Sequence, residues 1–269
     1  MKRTIFLLGL LLPLFCSAAP QKVTVGEFQL EYELAGAGPG LILLEGGGGA
    51  GLEDWDPVFE QLSAFARVIR YARVGNGNST QIRRHFSSDD YAAHASALLK
   101  ALQVDEPVIY IAHSYGASVA RCFAAHYPQQ ISALMLVEPA SEHDVDIMRA
   151  LDLERAEREI AQVKKDDMAN GMSNQYLDFW SKRPLPNYAE IGDIPVTVIA
   201  STKKYDQPAN LFFTDEAREA WGKLHRNWVE TFPRGRFVAT SKSYHFVQFD
   251  EPELVIAEVR GLLERAIKN

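Results

Sequence analysis

Short apolar runs alternate with helix-like patterns along most of this chain, and that alternation constrains the fold more than any other feature. Nearly every position is apolar in six short runs, at 41–44, 68–71, 108–112, 134–137, 196–200 and 236–239. A strand that is apolar throughout is covered on both faces, which is typical of parallel strands joined by helical crossovers. Apolar residues at helical spacing fall at 92–102, 118–126 and 254–267. The pattern predicts an α/β domain with a mostly parallel central sheet flanked by helices.

Two segments depart from this alternation. Residues 23–28 and 30–34 alternate between apolar and polar, which predicts a β-hairpin before the first parallel strand. Residues 140–194 contain no strand-like run, and apolar residues within 153–163 fall at helical spacing opposite many charges. We therefore predict a helical cap of residues 140–194, inserted into an α/β core formed by residues 20–139 and 195–269.

Residues 1–19 match the three-part pattern of a secretory signal peptide. Lys2 and Arg3 precede an apolar stretch at 4–15, and the small residues of a cleavage site follow at 16–19. The apolar stretch is shorter than the ~20 residues of a membrane span. A buried N-terminal helix is the alternative interpretation. The pattern predicts an exported protein, periplasmic or secreted, without a membrane anchor.

Net charge argues against a nucleic-acid-binding protein, and cysteine content argues against an internal disulfide once the leader is removed. The 269-residue chain has 28 basic and 35 acidic residues, a formal net charge of −7. Removal of the leader leaves 26 basic residues, so the net charge becomes 26 − 35 = −9. An acidic balance argues against binding to the nucleic-acid backbone. The leader also contains Cys16, which leaves Cys122 in an apolar helical pattern typical of a buried thiol.

The segment Ala112-His113-Ser114-Tyr115-Gly116 is the most informative motif of the chain. It follows an apolar strand and begins a helix, which is the setting of a nucleophile elbow, where a sharp turn lifts a serine hydroxyl above the sheet. Ala112 stands where G-x-S-x-G has its first glycine, and both residues are small. The flanking strand and helix argue against a phosphate-binding or purely structural turn. Ser114 is therefore the predicted nucleophile.

A serine hydroxyl needs a general base, and His245 is the candidate. It lies after the last strand and before the last helix, in the loop expected to meet the elbow. His113 adjoins Ser114, but its side chain is expected to point elsewhere. The remaining histidines are expected at the surface or in packing. No histidine spacing is typical of metal ligands, so we predict no metal and no other cofactor.

A carboxylate is needed to orient the imidazole of the base, and two are candidates. Glu138 ends the strand that follows the elbow helix, whereas Asp206 lies in the loop after the next strand. Both positions fall at the carboxyl end of the sheet, where ligands bind. The place immediately at a strand's end favours Glu138, with Asp206 as the alternative.

The glycine run 46–49 follows the first long core strand. Glycines let backbone N–H groups approach a reacting carbon closely, and an acyl-transfer intermediate needs such donors for its oxyanion. We predict that the N–H groups of Gly47 and Tyr115 form this oxyanion hole. A phosphate cradle is the rival interpretation, but the run lacks both the P-loop ending and the dinucleotide spacing.

These features together resemble the α/β-hydrolase superfamily over nearly the whole chain after the leader. The likeness includes the glycine run, the Ser114 elbow, His245, and the stretch 71–79, which is similar to Y-D-R-x-G-x-G-x-S with Ala72 in place of the usual Asp. The resemblance implies hydrolysis through a serine acyl-enzyme. Haloalkane dehalogenases of this superfamily carry their acid after the sixth strand, where Glu138 falls. Those enzymes and the epoxide hydrolases use an aspartate nucleophile, so Ser114 argues against both activities.

The predicted function is cleavage of an ester-like bond in a small or medium substrate, as in a carboxylesterase, by a Ser–His–acid triad. Amidase, lactonase, thioesterase, C–C hydrolase and acyltransferase reactions remain open. The alternative is a binding protein that keeps the fold and turns substrate over slowly or not at all. Six aromatic residues are candidates for an apolar substrate pocket, although at least half are as readily core residues: Trp55, Tyr176, Phe179, Trp180, Phe212 and Phe213.

Overall fold

A mixed eight-stranded sheet organises the chain. The computed structural model describes residues 19–82, 84–169, 191 and 193–267. The strands follow the spatial order β1-β2-β4-β3-β5-β6-β7-β8, in which β3 to β8 are mutually parallel and β1 and β2 are antiparallel. Their bounds are β1 Gln21–Val25, β2 Phe28–Ala35, β3 Leu41–Glu45, β4 Arg67–Tyr71, β5 Val108–His113, β6 Ile131–Val137, β7 Val196–Ser201 and β8 Gly235–Thr240. The predicted fold class is confirmed.

Helices cover both faces of the sheet. On one face α2, α3 and α6 enclose an apolar layer that includes Leu98, Phe123 and Trp221. On the other face α1 and α8 enclose a layer that includes Leu62 and Val259. The helices described are α1 Asp56–Ser63, α2 Ser88–Ala101, α3 Gly116–His126, α4 Asp144–Leu151, α5 Leu153–Ala169, α6 Asp215–Val229, α7 Val247–Asp250 and α8 Pro252–Ile267.

Local signals explain where two predicted elements begin and end. α2 starts four residues before the predicted stretch because Ser87 and Asp90 form a capping box. The first hairpin turns earlier than predicted. Gly26 has a φ of +58°, a left-handed conformation that glycine adopts without strain, and Phe28 therefore belongs to β2 and not to β1.

The described part of the chain between β6 and β7 contains the helices α4 and α5. Residues 170–190 and 192 lie outside the described residues, so the cap at 140–194 stays a prediction. Most of the predicted leader, residues 1–18, also lies outside them. In the part of the chain that the structure describes, every helix is too short or too polar to span a bilayer.

A buried ion pair supports the glycine loop that follows β3. Glu45 and Arg73 are 0% and 2% exposed, and the Arg73 guanidinium donates to a Glu45 carboxylate oxygen. The same guanidinium donates to the carbonyl oxygen of Gly46 at 2.7 Å and to that of Gly47. Tyr110 donates its hydroxyl proton to Glu45 at 2.8 Å. The buried Arg73 side chain thereby holds the backbone of the glycine loop in place.

Glu45→Ala is expected to destabilise the protein by about 3–5 kcal/mol, because Arg73 would remain buried without its counter-ion. Urea unfolding followed by circular dichroism measures the loss. The matched control is Glu106→Ala, which removes the partner of Arg67 from a pair whose side chains are about two-fifths exposed. This surface pair is expected to contribute less than about 1 kcal/mol. Equal losses in the two variants would contradict the role given to the buried pair.

Candidate active site

Ser114 occupies a strained turn between β5 and α3. Its φ is +51°, in the left-handed region that non-glycine residues rarely adopt. The turn is held by the sheet, because the Ser114 N–H donates to the carbonyl oxygen of Val137 at 3.1 Å and Ala140 donates to that of Ser114 at 3.0 Å. A Cβ at Gly116 would lie 2.6 Å from the carbonyl oxygen of Gly46, so only glycine fits there. This is the geometry of a nucleophile elbow.

His245 faces the serine hydroxyl. Its Nε2 lies 3.0 Å from Ser114 Oγ, within hydrogen-bond distance. The loop between β8 and α7 that carries it is tied down on both sides. Ser201 donates its hydroxyl proton to the Ser243 carbonyl oxygen at 2.5 Å, and the Tyr244 N–H donates to Asp250 Oδ2 at 3.2 Å. These contacts hold the imidazole over the elbow.

Glu138 is the carboxylate that the structure places beside His245. It follows β6 with a φ of +45°, and its Oε2 lies 3.5 Å from His245 Nδ1. Its side chain is 1% exposed. Asp206, the alternative acid, lies exposed in the loop after β7. Ser114, His245 and Glu138 therefore form one contiguous row of side chains.

Arg218 balances the buried charge of Glu138, and the sequence analysis did not identify it. Its Nη2 donates to Glu138 Oε1 at 3.1 Å and to Oε2 at 2.9 Å. The Ser201 N–H also donates to Oε1. The guanidinium stacks 3.9 Å from the ring of Trp221. One signal was available, because Arg218 lies on the buried stripe of α6 with Trp221 and His225, where a charged residue is unusual.

The surroundings of His245 lower its pKa from the ordinary value of 6.5. Burial is the largest cause, because it disfavours the charged imidazolium. Glu138 opposes burial by hydrogen bonding and by charge, whereas His113 and Arg218 lower the pKa further. The imidazole is consequently poised to be neutral, and able to accept a proton, at pH values near neutrality.

The oxyanion hole predicted from the sequence is corrected at Gly47. The Gly47 N–H donates to Asp54 Oδ2 at 2.7 Å, so this proton is committed to a carboxylate and is not directed at the space beside Ser114. A Cβ at Gly47 would lie 3.0 Å from His113 Nδ1 and 3.4 Å from Ser114 Cβ, so glycine is required for this close approach. Tyr115 follows Ser114 at the start of α3, as predicted, and its N–H remains a proposed donor.

The candidate pocket residues divide into three groups. Trp55 is 1% exposed and packs in the apolar layer beneath α1, so its assignment to a pocket is wrong. Tyr176, Phe179 and Trp180 lie outside the described residues. Phe212 and Phe213 are partly buried after β7. The Phe213 ring lies 4.9 Å from that of Tyr205, which lies 4.6 Å from that of Tyr244, next to His245.

Glu138→Gln is expected to lower kcat for ester hydrolysis roughly 10²–10⁴-fold, because a neutral amide neither stabilises the imidazolium nor fixes its tautomer. Asp206→Asn is the matched control and is expected to leave kcat almost unchanged. Steady-state hydrolysis of p-nitrophenyl acetate by both variants, with thermal unfolding as a check on folding, measures the difference. A larger loss in Asp206→Asn would reverse the assignment of the acid.

Comparison with known proteins relates this chain to one family. A family model described as alpha/beta hydrolase fold matches residues 39–182, more than half of the 269-residue chain. That span covers the glycine loop, the elbow and Glu138.

Within 19–82, 84–169, 191 and 193–267, no cluster of three or more His, Cys, Asp or Glu residues is arranged to hold a metal ion.

Individual relatives are distant. YqjL of Bacillus subtilis is 23% identical over 80% of this chain and 79% of its own length. A pyrrolizixenacetamide deacetylase of Xenorhabdus hominickii is 30% identical, but the match covers only 43% of each chain. The solved structure of a thermophilic esterase from Thermogutta terrifontis superposes with a TM-score of 0.62 and 18% identity, over 93% of this chain and 99% of the esterase. With the family model and the fold in agreement, this chain belongs to the α/β-hydrolase superfamily.

Proposed function

We propose that this α/β hydrolase cleaves an ester-like bond of a small or medium substrate through an acyl-enzyme on Ser114. The observation that carries the proposal is the 3.0 Å approach of His245 Nε2 to Ser114 Oγ on a strained elbow. A hydroxyl is a weak nucleophile until an adjacent base accepts its proton. The 3.5 Å separation of Glu138 Oε2 from His245 Nδ1 supplies the third member of a triad.

The proposed reaction proceeds in two halves. His245 Nε2 accepts the Ser114 proton while Oγ bonds to the substrate carbonyl carbon, which produces a tetrahedral oxyanion. The imidazolium then donates its proton to the leaving alcohol as the carbon–oxygen bond breaks. In the second half, water loses a proton to His245 and attacks the acyl carbon, after which Ser114 Oγ departs with the proton from His245. Glu138 stabilises the imidazolium in both halves.

The Tyr115 N–H is the proposed donor to the oxyanion, since the residue after the nucleophile commonly supplies one. Its position at the start of α3 adds the positive end of the helix dipole. Loss of one oxyanion donor typically costs about 10²–10³-fold in kcat. The orientation of this N–H therefore has a large effect on the rate.

The choice of an ester-like substrate has support from the comparisons. The deacetylase and the esterase are both named for reactions at an acyl carbon. The rings of Phe213, Tyr205 and Tyr244 pack in sequence on one another, and Tyr244 precedes His245 in the chain, which favours an apolar acyl or alcohol group. A carboxylesterase-like reaction is the simplest one that fits both observations.

Ser114→Ala is expected to abolish hydrolysis of p-nitrophenyl esters with acyl chains of two to eight carbons, because no hydroxyl remains to form the acyl-enzyme. The purified wild-type protein is expected to hydrolyse at least one member of the series. Ser118→Ala, in the first turn of α3, is the matched control and is expected to retain activity. Equal rates in wild type and Ser114→Ala would contradict the proposal and favour a binding protein on the same fold.

We also propose that the protein is exported, on the basis of the leader pattern at residues 1–19. Expression of the full chain in a Gram-negative host is expected to yield periplasmic protein whose intact mass corresponds to cleavage after residue 18 or 19. Lys2→Glu combined with Arg3→Glu is expected to retain the uncleaved chain in the cytoplasm, because the n-region loses its positive charge. Uncleaved wild-type protein in the cytoplasm would contradict export.

A further inference from the structure

A second histidine–carboxylate pair lies directly behind the proposed triad. His113, the last residue of β5, is 1% exposed, and Asp54, in the short helix Leu52–Trp55, is 4% exposed. His113 Nδ1 lies 2.9 Å from Asp54 Oδ2, and His113 Nε2 lies 3.1 Å from the carbonyl oxygen of His245. The reaction proposed above uses neither residue.

The partners of His113 determine its charge. A backbone carbonyl has no proton to donate, and neither does an ionised carboxylate, so the imidazole must donate from both ring nitrogens to make both bonds. A ring that carries protons on both nitrogens is an imidazolium. Asp54 is well placed to remain ionised, because the Gly47 N–H donates to its Oδ2 at 2.7 Å and Gln248 Nε2 donates to its Oδ1 at 3.1 Å.

The acidity of Asp54 agrees with this geometry. Burial on its own would raise the pKa of the Asp54 carboxyl above its usual 3.8. The charge and hydrogen bond of His113, together with the Gly47 N–H, outweigh burial, and the pKa is lowered. The carboxylate is therefore the favoured form at neutral pH.

The pair also connects the glycine loop, the elbow and the loop that carries His245. Asp54 holds the glycine loop through Gly47, and His113 is itself part of the elbow. The histidine loop is held twice, through the carbonyl oxygen of His245 and, beyond it, through Gln248 at the start of α7. A single buried ion pair thus sets the spacing of segments that are far apart in sequence.

The imidazolium of His113 faces the proposed base at short range. The ring centroids of His113 and His245 are 4.8 Å apart. Two positive charges at that separation repel, so a charged His113 disfavours protonation of His245. Glu138, after β6, and Arg218, on α6, also act on the charge of His245. Further charged groups lie on the segments around the loop of His245: Asp54, Lys203, Lys242, Asp250 and Glu251.

We propose that His113 and Asp54 form a buried imidazolium–carboxylate pair that positions the glycine loop, the elbow and the loop of His245, and that disfavours protonation of His245. His113 is a positioning residue in this scheme, since it acts through His245 and touches no reacting atom. The inference rests on the proposed function, because it assigns His245 the role of the base.

The test is NMR spectroscopy of the full-length protein, purified after expression and labelled with ¹⁵N-histidine, together with the pH dependence of kcat/KM for p-nitrophenyl acetate. In the wild type, His113 is expected to carry a proton on each ring nitrogen at pH 7.5. In His113→Gln, the titration midpoint of His245 is expected to rise by about 0.5–2 pH units, because one positive charge has been removed nearby. The acidic limb of kcat/KM should move by the same amount.

His126→Gln is the matched control. His126 also pairs with an aspartate, with its Nε2 2.9 Å from Asp89 Oδ1, but it lies half-exposed at the far end of α3. This variant is expected to leave the His245 midpoint unchanged. If His113 had only a structural role, His113→Gln would lower kcat/KM equally at every pH. The NMR titration midpoint of His245 and the midpoint of the acidic limb of kcat/KM would then both stay unchanged.

A second variant covers the case in which His113→Gln does not fold. In Asp54→Asn the carboxylate is absent, so His113 is expected to lose one ring proton at pH 7.5. A single ring proton on wild-type His113, or an unmoved His245 midpoint in folded His113→Gln, would overturn the inference. If the wild type hydrolyses no ester, the proposed function fails, and the two NMR readings still decide whether the pair is charged.

Discussion

Two left-handed turns at one edge of the parallel sheet are the constraint on which the site depends. Ser114 and Glu138 have φ values of +51° and +45°, and they follow the neighbouring strands β5 and β6. Each such conformation costs on the order of 1–3 kcal/mol for a non-glycine residue. Hydrogen bonds across the sheet offset this strain, since Ser114 donates to Val137 and Glu138 donates to Ile199 at 2.9 Å. As a result, the side chains of Ser114 and Glu138 both reach His245 from the same edge of the sheet.

Buried ion pairs are the second feature that this edge of the sheet depends on. Three carboxylates lie under the elbow, the glycine loop and the loop of His245, and each pairs with a basic side chain from another element. Glu45 pairs with Arg73, Glu138 with Arg218, and Asp54 with His113. A buried charge is tolerated only when it is paired and hydrogen-bonded, so each pair fixes the relative position of two segments. These pairs hold the glycine loop, the Glu138 side chain and the loop of His245 in place.

The fold was predictable because its signals are local and repeated. Apolar runs such as 41–44 and 108–112 become strands that are buried on both faces. The elbow was recognisable because Ser114 stands between such a strand and a helix, and Glu138 because it ends the next strand. Their contact with His245 involves residues more than 100 positions apart in sequence, and only the common carboxyl edge of a parallel sheet made it predictable.

Side-chain pairing was less predictable, because it depends on which face a residue turns to its neighbours. Trp55 was assigned to a pocket on composition, yet the helix that contains it turns the indole into the core. The sequence predicts that the Gly47 N–H is available to substrate, but in the structure it donates a hydrogen bond to the carboxylate of Asp54, seven residues later. Arg218 is 80 residues from Glu138, and no local pattern connects them. Contacts of this kind become visible only when the packing is known.

The central claim is that Ser114 is a nucleophile activated by His245. The most direct measurement is the rate at which a fluorophosphonate labels the protein, with the modified residue located by peptide mass spectrometry. The account predicts a single adduct on Ser114, and a rate that falls as pH is lowered through the depressed pKa of His245, because the protonated imidazole no longer accepts the serine proton. An unlabelled Ser114, or labelling at a rate that His245→Ala leaves unchanged, would contradict it.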